Sequence, residues 1–160
     1  MRLTAYTDYT LRTLIYLGLT QDRLVTINDI AQLHRISKNH LMKVVHQLGL
    51  SGLIETVRGR NGGLRLNVAP ELINIGAVVR HTENDFYMAE CFDPTSNSCS
   101  YSPACTLKSI LASATDAYLE ILDAVTLHDL INHAPSRAHL KAPIPTLGGI
   151  PVVSKTMQKK

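Results

Sequence analysis

Residues 26–53 read TINDIAQLHRISKNHLMKVVHQLGLSGL, and how this stretch divides decides the fold. Thr26 can cap a short helix whose Ile27, Ile30, Ala31 and Leu33 fall at helical spacing, which predicts those four side chains turned inward. The pattern breaks at a turn, Arg35–Ile36. Ser37 then caps a second helix with Leu41, Val44, Val45 and Leu48 on its inner face and Gly49 as its close. Two short helices joined by a tight polar turn make a helix-turn-helix.

Working outward, residues 54–68 continue IETVRGRNGGLRLNV. Leu64, Leu66 and Val68 alternate with Arg65 and Asn67, the period of a half-buried strand, and Asn61-Gly62-Gly63 tolerates the positive φ of a tight turn. The expectation is a hairpin with Arg58 and Arg60 at its tip, which turns the helix-turn-helix into a winged helix. On the other side, a first helix is expected from about Asp8 to Gly18, capped by Thr7 or Asp8, with Leu11, Leu14 and Ile15 inward. Asn74 caps another helix from Ile75 to about His81. Farther on, Leu107, Leu111, Ala114, Tyr118, Ile121 and Val125 form a heptad stripe, which predicts a dimerisation helix, with an intramolecular groove as the alternative for a stripe under three heptads long. The fold class expected is mostly α with a small β-hairpin. Its parts are a winged helix-turn-helix DNA-binding domain over 1–81, a cysteine loop over 82–105 and a dimerisation helix with a short C-terminal helix over 106–133. The Pro-rich tail over 134–160 is predicted to be disordered.

Charge is divided along the chain. Residues 1–69 carry nine Lys/Arg against four acids, a net +5, whereas residues 70–140 carry three against nine, a net −6. A basic N-terminal half fits a polyanion partner, here double-stranded DNA read as a homodimer on two half-sites. No apolar run approaches a membrane span, and the first twenty residues hold Asp8 and Arg12 inside an amphipathic pattern without a small-residue cleavage site. A cytoplasmic location with no membrane partner is therefore expected.

The amino end of the second helix of such a motif lies in the major groove. Here it offers Ser37, Lys38, Asn39, His40 and Lys43. The lysines suit phosphates or guanine edges, Asn39 an adenine edge and Ser37 a phosphate. Arg58 or Arg60 suits an adjacent narrow minor groove. The blander reading keeps Ser37 as a cap and the rest solvated, on a protein-docking module.

All three cysteines of the chain, Cys91, Cys99 and Cys105, stand in the segment CFDPTSNSCSYSPAC. In a reducing compartment an odd cluster of thiols points to a metal, and sulfur donors suit zinc or an iron–sulfur cluster. The spacing is wider than the C-x2-C pairs of structural zinc sites. No catalytic residues are identified, and nothing in the sequence supports an enzyme.

RISKNHLMKVV, TVRGRNGGLRL, INIGAVVRHTE and the three-cysteine loop before a long helix together resemble a family of bacterial winged-helix iron–sulfur transcriptional repressors, over roughly residues 1–133. The resemblance is strongest to its nitric-oxide-sensing members. It implies a homodimer in which Cys91, Cys99 and Cys105 hold a cluster, 4Fe–4S with 2Fe–2S as the alternative. The fourth ligand it implies is Asp8 from the other subunit, a residue that by position alone is a helix cap or first-turn acid. Nitric oxide would then release the repressor from operator DNA. A related regulator of cluster biogenesis carries a ligating histidine three residues after its third cysteine, where this chain has Lys108. The alternatives are a redox or cluster-status regulator with a 2Fe–2S centre and a zinc-stabilised interaction module.

Overall fold

The computed structural model describes residues 2–132 and two short segments, 146–147 and 150–151. Helix α1 (Ala5–Leu19) begins earlier than its apolar spacing predicts, because Thr4 is the cap: its hydroxyl accepts the Thr7 amide at 3.2 Å. Asp8 is therefore a first-turn acid and Thr7 a buried residue. The inner face of α1 carries Thr7, Thr10 and Thr13, fully buried beside Leu14 and Leu17. Thr10 and Thr13 donate to the carbonyls of Tyr6 and Tyr9, so their hydroxyls enter the core already satisfied.

Helix α2 (Ile27–His34) has a capping box: Thr26 Oγ1 accepts the Asp29 amide while the Asp29 carboxylate accepts the Thr26 amide. These bonds and Arg23 hold the Asp29 carboxyl below the usual range. Leu33, expected inside, is 60% exposed, because α2 ends at His34 and Arg35 turns into the left-handed region (φ 54°). Ile36 is buried in its stead. Helix α3 (Lys38–Leu50) buries Leu41, Val44, Val45 and Leu48 as expected. It runs past Gly49 to a cap at Ser51, and Gly52 supplies the positive φ (73°).

Strands β1 (Ile54–Val57) and β2 (Gly63–Leu66) pair antiparallel, Ile54 opposite Leu66 and Val57 opposite Gly63. Val25 bridges to Leu64, which fastens the wing to the segment before α2. The connection of five residues turns over Gly59–Gly62, where the Gly62 amide donates to the Gly59 carbonyl at 3.0 Å, and its positive φ falls at Gly59 (117°) and not within Asn61-Gly62-Gly63. Helix α4 (Ile75–Thr82), capped by Asn74, leads to the cysteine loop, and α5 (Thr106–Asp123) follows it. Helix α6 (Leu127–Asn132) returns to pack on α1, where Leu127 joins Leu14, Ile30, Leu41, Val44 and Ile73 in one core.

α5 is the exception to this packing. Its C-terminal end is fastened to α4: Arg80 pairs with both carboxylate oxygens of Asp123, and Asn74 Nδ2 donates to the Asp123 carbonyl at 2.6 Å. Yet α5 buries none of its residues, and Leu107, Ile110 and Ile121 are about 60% exposed or more. Leu122 and Val125 pack against the core, but among the described residues Leu107, Ile110 and Ile121 are left without such cover. The predicted tail lies outside the described residues except for β3 (Thr146–Leu147) and β4 (Ile150–Pro151), which pair antiparallel. No helix among the described residues is long and apolar enough to cross a membrane.

Candidate nucleic-acid interface and thiol loop

Ser37 accepts the His40 amide at 3.3 Å and so starts α3, which turns Lys38, Asn39, His40 and Lys43 outward, all exposed. Ile36, buried, anchors the turn that precedes this end of α3. Arg58 and Arg60 are exposed at the wing tip. Among the described residues Lys38, Lys43, Arg58 and Arg60 have no acidic partner, whereas Arg65 on the same hairpin is paired with Glu55 at 2.5 Å. Four unpaired cations on two neighbouring elements are available to phosphates. A cleft of about 410 Å³ joins the amino end of α2, the outer face of α3 and the wing, lined by Thr26, Lys38, Met42, Thr56 and Gly62 among others. Met42, exposed on this face, is a residue that motif reading passes over, because methionine matches no base-edge donor pattern.

Asp8 lies on α1, where Arg12 Nε donates to its Oδ1 at 2.9 Å in a pair nearly half exposed. The next residue, Tyr9, stacks on the His40 ring with centroids 6.0 Å apart and planes 29° from parallel. One aromatic contact thus links the turn that carries Asp8 to the amino end of α3. The sequence held no sign of it, since it joins residues 31 positions apart. Close by, the His34 Nε2 is buried without a hydrogen-bond partner among the described residues, and Tyr16 meets that ring edge-on at 6.2 Å. Burial, then the Arg12 charge, pushes the His34 pKa down, with Asp8 pulling weakly the other way.

The thiol loop is held by its own polar residues. Asp93 accepts the amide and hydroxyl of Thr95 and the hydroxyl of Ser96, which keep its carboxyl below the usual range. Asn97 accepts the Cys99 amide at 3.1 Å. The seven residues between Cys91 and Cys99 are therefore a locally bonded turn. Cys91, Cys99 and Cys105 are free and half-buried, and Cys105 stands at the cap position of α5, the positive end of its dipole. Lys108 lies over the Phe92 ring at 5.8 Å, packing the first turn of α5 against the start of the loop. Among the described residues no three His, Cys, Asp or Glu side chains are gathered tightly enough to hold a metal ion, so a single chain presents the donors unassembled. Their chemistry nonetheless fits an iron–sulfur group: three reduced, reachable thiols on one stretch that the core does not lock.

At the N-terminal end of α1, Thr4 donates from its amide to Glu83 Oε1 at 2.8 Å and from its hydroxyl at 3.2 Å. Glu83 caps α4, where the thiol loop begins. The start of the loop is thereby tied to the helix that bears Asp8.

A family model described as Rrf2, iron-dependent transcriptional regulator, matches residues 3–133. The chain is 58% identical over 132 residues to the HTH-type transcriptional regulator NsrR of Bacillus licheniformis, covering 82% of this chain and 92% of the relative. It is 54% identical over 134 residues to NsrR of Bacillus subtilis, covering 83% and 92%. Among solved structures it resembles Staphylococcus aureus CymR in its oxidised form, with a TM-score of 0.67, 26% identity and coverage of 85% and 100%. The fold also matches a regulator from Listeria innocua at a TM-score of 0.70 and 24% identity, covering 92% and 96%.

Proposed function

The chain belongs to the Rrf2 family of iron-dependent transcriptional regulators, and from that premise we propose that it is a homodimeric repressor that leaves its operator DNA on exposure to nitric oxide. Ser37, Lys38, Asn39, His40 and Lys43 would enter the major groove, with Arg58 and Arg60 on the flanking backbone or minor groove. Cys91, Cys99 and Cys105 would hold an iron–sulfur cluster, 4Fe–4S in this reading, with Asp8 of the partner subunit as the fourth ligand. Bound there, such a cluster supplies an iron whose oxygen ligand is weaker than its thiolates and whose position is open to a small diatomic. Nitric oxide is the signal because the sequence most resembles the nitric-oxide-sensing members of the family.

The observation that carries the proposal is the Tyr9–His40 stack beside Asp8. A change in what Asp8 binds alters the seating of the first turn of α1, and Tyr9 passes that change directly to the amino end of α3. Half-site spacing demands a fixed separation of two such ends, so small shifts weaken both contacts together. Coupling of about 1–3 kcal/mol, or 5- to 150-fold in affinity, is the ordinary scale for such a link. The Asp8–Arg12 pair gives Asp8 an alternative partner within its own chain. Lys108, packed on Phe92, takes no part as a ligand while protonated.

The test is an anaerobic absorption spectrum with stepwise nitric oxide and a gel shift on the same samples. The expected result is a coloured protein whose DNA binding declines in step with its colour, and an Asp8→Ala variant that breaks the correlation without unfolding. Full DNA binding after complete bleaching refutes the proposal. Iron and sulfide counts distinguish a 4Fe–4S from a 2Fe–2S centre, and colourless, zinc-loaded protein that shifts no DNA indicates an interaction module instead.

A further inference from the structure

An apolar side chain stands in the middle of the basic face. Met42 is 51% exposed on α3. It lies one turn beyond Lys38 and Asn39 and one turn before His46, so the four share a helix face. Met42 lines a concavity along α3 with Asn39, His40, Lys43 and His46, and also the cleft shared with the wing, where Ile27 and Leu64 are its apolar neighbours. The core of α3 is already filled by Leu41, Val44, Val45 and Leu48, which leaves Met42 to meet whatever docks on the face.

We propose that Met42 reads the C5-methyl group of a thymine in the major groove, adding an apolar, sequence-dependent contact to the cationic ones around it. The thymine methyl is the apolar group that the major-groove edges of the base pairs display. An unbranched thioether adapts its shape to such a contact. Lys38 on that face and Lys43 on the flank beside Met42 set a charge that suits phosphate, which selects duplex DNA over an apolar protein surface as the occupant. The inference rests on α3 as the DNA-reading helix and is independent of the thiol loop and its signal.

The experiment begins with the full-length chain, anaerobically purified, and a randomised duplex library from which its preferred sequence is recovered. Each thymine of the recovered duplex is then replaced by uracil, which removes the methyl and nothing else, and affinity is read by fluorescence anisotropy. The expected result is a loss of about fourfold per half-site at one thymine, the worth of one buried methyl, and no loss elsewhere on that strand face. Met42→Ala, whose melting temperature should match the wild type because the side chain is exposed, binds the thymine and uracil duplexes equally. Met42→Gln selects adenine at that position. A wild type indifferent to uracil at every position overturns the proposal, and that arm needs no variant. Retained thymine preference in Met42→Ala overturns it too. Recovery of no preferred sequence at all sinks the DNA-reading assignment together with it, whereas a preferred sequence insensitive to uracil sinks this inference alone.

Discussion

Replacing Arg58 and Arg60 together by alanine tests the wing through its salt dependence. Both guanidinium groups are exposed at the hairpin tip and, among the described residues, neither has a carboxylate partner. Each phosphate contact on duplex DNA contributes about 0.9 to the slope of log affinity against log salt, through counterion release. Two arginines per wing and two wings in the proposed homodimer therefore set an upper bound of about 3.6 on the slope lost. Between about 50 and 200 mM salt, a fourfold range, that bound corresponds to about 150-fold: the wild type should lose more affinity than the double variant over the same interval, by up to that factor. Arg65→Gln is the internal control, because Arg65 sits on the same hairpin with its charge already engaged by Glu55. The measurement is fluorescence anisotropy on one recovered duplex at five or so salt concentrations. A double variant with the wild-type slope refutes the reasoning, and so does an Arg65→Gln slope change as large as that of the double variant.

Three further outcomes follow from single contacts. Gly76→Ala drives a Cβ against Asp123, whose backbone nitrogen would lie 2.8 Å away, at the joint that fastens α5 to α4; differential scanning fluorimetry should show destabilisation of about 1–3 kcal/mol. Ile121 is 68% exposed, so Ile121→Glu should leave the fold of one chain intact while sedimentation shows a shift from dimer to monomer; an unchanged dimer would place the interface elsewhere. His34 has its pKa lowered by burial, so the unfolded chain takes up its proton first as pH falls, and stability is full above the ordinary value of 6.5 and declines below it. Denaturant titrations of metal-free protein should show that decline near and below pH 6.5, flattened in His34→Gln; parallel curves would show that His34 is not its source.

Where the sequence was legible, the forces were local. Ser37, Thr26 and Asn74 cap the helices expected of them because a side-chain oxygen can reach an amide three residues on without tertiary help. The buried face of α3 follows from its helical spacing, which the chain carries in itself. The errors are equally specific. Apolar spacing alone starts α1 three residues late, because Thr7, Thr10 and Thr13 read as polar although two of their hydroxyls bond back to α1 carbonyls. Leu33 reads as core, yet the left-handed Arg35 ends α2 before that position finds anything to pack on. The wing turns over Gly59–Gly62, as the Asn-Gly-Gly run suggests, but its positive φ falls at Gly59, outside that run.

The sequence by itself determined the helix-turn-helix, the existence of the wing, the grouping of three thiols on one segment and the basic character of its N-terminal half. Each depends on neighbours a few residues apart, or on composition. Tertiary structure alone decided that Tyr9 lies on His40, that Glu83 ties the start of the thiol loop to the cap of α1, and that Met42 faces outward between α3 and the wing. It also decided that Leu107, Ile110 and Ile121 of α5 stay exposed among the described residues while Leu122 packs on the core. Contacts between residues tens of positions apart depend on how helices are seated across a shared core, and no periodicity along the chain encodes that seating.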